Sequence, residues 1–124
     1  MDHMEKVREL RARTDVHFNC CQSVLVTFAQ EMGLTEEQAF DLGANFGSGM
    51  RCGSACGALT GALMVLGMTH YPPEDADSFR EQFREDHGDI NCAALLKASH
   101  DAGIPRKEHC DGLVFEVVEA LEQN

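Results

Sequence analysis

Six cysteines stand in a chain of 124 residues: Cys20, Cys21, Cys52, Cys56, Cys92 and Cys110. As thiolates such residues ligate metals, hold iron–sulfur clusters or exchange with disulfides. Three of them stand where a helix should begin. Cys20 follows Asn19, Cys92 follows Asn91, and Cys56 lies two residues past Ser54. Asn and Ser are favoured helix caps, and the free N–H groups and dipole at a helix start lower a cysteine pKa to ~3.5–7.5. Cys110 follows "RKEH", so Arg106, Lys107 and His109 form a local basic cluster beside it early in the last helix. With Ser54 as its cap, Cys56 is the candidate attacking thiol. Cys20, Cys92 and Cys110 complete the candidate set, and Cys21 and Cys52 are possible extras.

Chain geometry removes the local pairings. Adjacent Cys20 and Cys21 have Cα atoms ~3.8 Å apart, below the ~4.4 Å that a relaxed disulfide needs. Cys52 and Cys56, if both helical, have Cβ atoms ~5–6 Å apart, which is too far unless Gly53 breaks the helix. Grouping must therefore come from different elements. A zinc site usually shows C-x-x-C pairs, and there are none; H-E-x-x-H and the Glu-x-x-His pairs of di-iron bundles are absent too. His17 and His109 read as solvated or helix-end histidines ahead of ligands or proton carriers. Met50, Met64 and Met68 read as core filling.

Gly49, Gly53, Gly57 and Gly61 recur every four residues. Each glycine inside a helix costs ~1 kcal/mol against alanine, so the run needs a compensating reason. Close helix packing is the reason that spacing favours. Clearance for a bound group is the other, with Gly53, Gly57 and Gly61 bordering it. No G-x-G-x-x-G or G-K-[ST] pattern accompanies them.

The elements that must position these thiols are helical. Segments of helical length alternate with turn signals, and no stretch alternates strictly enough for a strand. A charged helix is expected from Glu5 to Arg13, and one capped by Asn19 runs to Gly33. A third opens on a Thr35 to Gln38 capping box. The apolar segment from Ser54 to His70 should be central. Further helices run from "PPED" to Gly88, from Asn91 to Gly103 and onward from Pro105. The expectation is an all-α single domain over 1–124, a compact bundle of five to six helices.

The net charge of −11, from 10 Lys and Arg against 21 Asp and Glu, repels phosphate backbones and anionic membranes. Nucleic acid and membrane are thus excluded as partners. A basic redox partner protein suits such a surface, as does simple solubility. The charged start "MDHMEKVRELRARTD" lacks the apolar stretch of a secretory signal, which leads to the expectation of a cytoplasmic protein. In a reducing compartment, cysteines serve metals, clusters or reversible redox chemistry.

"NCCQSVL" at 19–25, "CGALTGALMVLG" at 56–67, "CAALL" at 92–96 and "CDGLV" at 110–114 resemble, in order and spacing, the C_GCAxxG_C_C family, described as redox-active. The resemblance runs from about Phe18 to Val118. It implies that the family's cysteines fall on Cys20, Cys56, Cys92 and Cys110, the set already reached from helix starts. It is also similar to the non-haem part of split-Soret cytochromes, which implies an iron–sulfur cluster as one candidate cofactor.

Two mechanisms follow for a convergent set. Four thiolates hold a cluster and the protein carries electrons, or a low-pKa thiolate attacks a disulfide and a second cysteine resolves it. A structural or regulatory zinc module without turnover is the alternative. A homodimer is expected from the small size and the glycine ridge.

Overall fold

The computed structural model describes residues 2–123, so the two end residues of the expected 1–124 domain lie outside it. Among the described residues there are seven α-helices, α1 (His3–Ala12), α2 (Cys20–Thr27), α3 (Glu36–Gly43), α4 (Gly57–Met68), α5 (Pro73–His87), α6 (Cys92–Asp101) and α7 (Arg106–Glu122), and one short π-helical turn at Gly49–Gly53. Five to six helices is therefore an undercount. The charged first segment is the instructive case. Only Val7 and Leu10 of α1 are buried, too few to make a periodic stripe, yet packing against α7 is enough to hold them. Among the described residues no strand forms, and one isolated bridge joins Ala55 to Asn91.

The core is centred on α2, with α4 packed along it. Every residue from Cys21 to Thr27 is buried, including Gln22, Ser23 and Thr27. Those polar groups are satisfied within the fold: Gln22 Nε2 donates to the Phe40 carbonyl at 3.0 Å, and Thr27 Oγ1 to the Ser23 carbonyl at 2.7 Å. Asn19 caps α2, its Oδ1 accepting from the Gln22 N–H at 2.7 Å. Gln22 Oε1 accepts from the Asn19 N–H in return. The expected Thr35 to Gln38 box is present on α3. The second helix stops at Thr27, earlier than Gly33, and turns then carry Phe28, Ala29 and Met32 into the core.

Gly57 and Gly61 are where α4 meets α2. A Cβ at Gly57 would come 2.6 Å from the Phe46 carbonyl and 3.2 Å from the Cys21 nitrogen. One at Gly61 would lie 3.1 Å from the Val24 Cβ. Both glycines therefore let two helices approach closely. Because the Gly57 contact is to backbone, Gly57→Ala should destabilise the protein by about 1–3 kcal/mol. The check is a fall in the urea midpoint at unchanged slope. Among the described residues no helix is long and apolar enough to cross a membrane.

Candidate functional site

Between α3 and α4 the backbone enters the left-handed region four times running, at Ser48, Gly49, Met50 and Arg51, and again at Gly53. Ser48, Met50 and Arg51 are unfavourable there because their Cβ atoms crowd the following carbonyl. A hydrogen bond from the Ser54 N–H to the Gly49 carbonyl, 2.8 Å, closes the turn. This segment breaks the helix between Cys52 and Cys56, as Gly53 allows. Cys52 stays exposed on it, its Sγ 3.7 Å from the Gly49 carbonyl.

The turn delivers residues 54–56 alongside residues 90–92. The Cys56 N–H donates to the Ile90 carbonyl at 2.8 Å, and the Cys92 N–H to the Ser54 carbonyl at 2.7 Å. This two-bond clamp fixes the starts of α4 and α6 side by side, with Cys56 capping α4 and Cys92 opening α6. Ser54 does not cap α4 as expected; its carbonyl is committed to Cys92 and the helix begins at Gly57. Asn91 precedes α6 but makes no side-chain cap bond. Asp89 Oδ1 instead accepts from the Ile90 and Asn91 N–H groups at 2.7 and 2.8 Å.

Cys20 opens α2, and Cys110 lies in the second turn of α7. The four thiols of Cys20, Cys56, Cys92 and Cys110 line one cavity of about 440 Å³, walled on the apolar side by Leu10, Phe18, Leu95 and Leu113. Cys21 and Cys52 lie outside it: Cys21 is fully buried in the core, and burial pushes its thiol up to about 12. Of the glycines expected to border a bound group, Gly57 reaches the cavity wall. Gly61 packs on Val24 instead, and Gly53 supplies a positive φ for the turn.

Cys20 and Cys110 are the pair in closest communication. The neighbouring Cys20 thiol is the largest influence holding Cys110 down at about 6. Burial opposes the shift, while the guanidinium groups of Arg106 and Arg11 assist it. Cys20 moves the other way: the bond to Cys110, then burial, then the Cys110 charge all raise it. Arg11 reaches the site from α1, a contributor that no local pattern announces. It is held by Asp111 at 2.7 Å and by the Phe18 carbonyl at 2.7 Å.

The thiol of Cys56, the expected attacker, is shifted upward. The N–H groups of Leu59 and Ala58 do favour its thiolate, as a helix start should, but burial outweighs them and raises it. Burial, then the Cys110 charge, raises Cys92 as well. His17 and His109 both border the cavity. His109 has a buried Nε2 without a partner, and burial, followed by His87, disfavours its charged form.

The downward shift of Cys110 has a definite titration. Alkylation of Cys110 should rise through a midpoint near pH 6. Its folded pKa lies below the ordinary 9.0. The thiolate therefore adds stability that is fully present above that ordinary value and is lost as pH falls through the folded one. Peptide-resolved alkylation across pH checks the midpoint.

Among the described residues, no three His, Cys, Asp or Glu side chains are gathered to hold a metal ion. The fold and the site together define an all-helical protein built around a cysteine-lined cavity. The chain belongs to the C_GCAxxG_C_C family, whose description reads "Putative redox-active protein (C_GCAxxG_C_C)" and which matches residues 18–124. No curated protein and no solved structure shows significant similarity to it.

Proposed function

We propose that the protein is a thiol–disulfide redox protein in which Cys110 attacks and Cys20 resolves. The observation that carries this reading is that Cys20 and Cys110, from α2 and α7, line one cavity together with Arg11 and Arg106, with Cys110 shifted down and Cys20 up. The Cys110 thiolate attacks one sulfur of a substrate disulfide, forming a mixed disulfide and releasing one thiolate. Formation of that bond removes the charge and the hydrogen-bond acceptor that held the Cys20 proton. Burial then remains to oppose ionisation of Cys20, while Arg11 favours it. Cys20 gives its proton to a leaving thiolate and attacks the Cys110 sulfur, releasing the second substrate half. Two electrons pass to the substrate, and the protein retains a Cys20–Cys110 disulfide. An external dithiol reductant then returns the Cys20–Cys110 disulfide to two thiols and is itself oxidised to a disulfide.

Anaerobically reduced protein treated with one equivalent of a small disulfide should yield one cross-linked peptide pair containing Cys20 and Cys110. Cross-links confined to other cysteines would sink the assignment.

A second reading draws on the fact that all four thiols border one cavity. There Cys20, Cys56, Cys92 and Cys110 would hold an iron–sulfur cluster, which would supply one-electron transfer. Protein isolated without oxygen distinguishes the two. The dithiol reading expects a colourless protein with free Cys110, whereas stoichiometric iron and sulfide with visible absorbance would replace it with the cluster.

A further inference from the structure

The cavity around the thiols is cationic in a protein that is strongly acidic elsewhere. Of the ten Lys and Arg in the chain, four line it: Arg11, Arg13, Arg106 and Lys107. None of the 21 Asp and Glu, all among the described residues, does so. Two carboxylates nearby partly neutralise the four. Asp111 holds Arg11 at 2.7 Å and Lys107 at 2.8 Å, and Asp15 holds Arg13 at 2.8 Å. With the Cys110 thiolate also counted, one positive charge remains in surplus. Arg106 is the cation without a carboxylate; its side chain donates to the Ser48 hydroxyl at 3.1 Å.

More cations stand here than stabilising one thiolate requires. A pocket that combines surplus positive charge, an apolar wall and a reactive sulfur matches a ligand that is anionic at one end and carries sulfur at the other. The volume decides its size. About 440 Å³ falls within the ordinary range for small molecules. A disulfide embedded in a folded protein surface does not enter such a space, whereas a free low-molecular-weight disulfide does.

We infer that the substrate of this site is a low-molecular-weight disulfide bearing carboxylates, with Arg106 as the anchor that seats a carboxylate beside Cys110. The inference rests on the dithiol reading above and narrows it to a substrate class. Arg106 is exposed at the first position of α7, so its guanidinium can exchange the Ser48 hydroxyl for a carboxylate by rotation alone. A bidentate pair with a carboxylate is the stronger bond. The acidic surface elsewhere repels the same substrate, so productive encounters concentrate at the cavity mouth. In the reaction the substrate S–S bond breaks and a Cys110–S–S–R bond forms. One carboxylate-bearing thiolate leaves as that bond forms, and the second leaves when Cys20 attacks the Cys110 sulfur and closes the protein disulfide.

The test compares three symmetric disulfides against the reduced protein: dithiodipropionate (anionic), hydroxyethyl disulfide (neutral) and cystamine (cationic). Each rate of Cys110 mixed-disulfide formation is divided by that of a simple thiol with the same reagent. The normalised rates should fall from anionic to neutral to cationic, with about a tenfold advantage of the first over the second at low salt that shrinks as salt rises. Arg106→Gln should cut the anionic-to-neutral ratio about threefold or more. Loss of thiolate character alone would slow all three reagents equally and leave that ratio unchanged. A ratio near one in the wild type, or an unchanged ratio in R106Q, overturns the substrate class. If even the neutral reagent fails to yield the Cys20–Cys110 link, the dithiol reading itself falls.

Discussion

Replacing Cys110 with serine should remove the fast thiol from this protein altogether. At pH 6 a thiol titrating at about 6 is half ionised, against about one part in a thousand at 9.0, a gain of about 500-fold in thiolate. The lower basicity of that thiolate reduces its intrinsic nucleophilicity by about 20-fold over the same interval. The net advantage over an ordinary thiol is thus about 25-fold, large enough to appear as a separate kinetic phase. In C110S the phase should vanish, leaving slow labelling of exposed Cys52, and no Cys20-containing disulfide should form. Burial raises both Cys56 and Cys92, so neither is placed to substitute. A fast phase that survives in C110S would show that another thiol is the nucleophile.

The second large effect belongs to Cys20, and it separates two roles carried by one sulfur. As resolver, Cys20 is indispensable: Cys20→Ser should react with a small disulfide and then stop. Its mass should increase by one substrate half, where the wild type ends as an internal disulfide two hydrogens lighter. As proton donor, Cys20 sets the Cys110 titration. A serine hydroxyl can still donate, but Cys20→Ala removes the donor, which is the largest influence favouring the thiolate. The alkylation midpoint should therefore rise from about 6 toward the ordinary 9.0, more in C20A than in C20S. Arg106 and Arg11 oppose part of that rise. Equal midpoints in wild type and C20A would mean that the two sulfurs do not share a proton, and a resolved disulfide in C20S would assign the second step elsewhere.

Much of this architecture can be read from local signals. Asn19, Thr35, Gly88, Gly103 and Pro105 each mark a helix end through side-chain capping or restricted backbone angles, and each stands at or beside one. The buried face of α7, with Val114, Val117, Val118 and Leu121, follows from helical spacing. Where such signals are weak the reading loses detail. In α1 charge masks two buried residues. Ser54 looks like a cap until its carbonyl is taken by Cys92, a partner 38 positions away whose approach depends on the turn at 48–53.

The sequence by itself determined that Cys20 and Cys92 open helices, because a helix start depends on a few adjacent side chains. It also placed the cations of "RKEH" next to Cys110. Only the tertiary structure decided which thiols are shifted up and which down. The dipole at a helix start is local, whereas burial, the approach of Arg11 from α1 and the contact between Cys20 and Cys110 arise only when distant segments pack together. At Cys56 burial exceeds the local effect and keeps the thiol protonated. At Cys110 the neighbouring Cys20 thiol and two guanidinium groups exceed the burial and shift the thiol down.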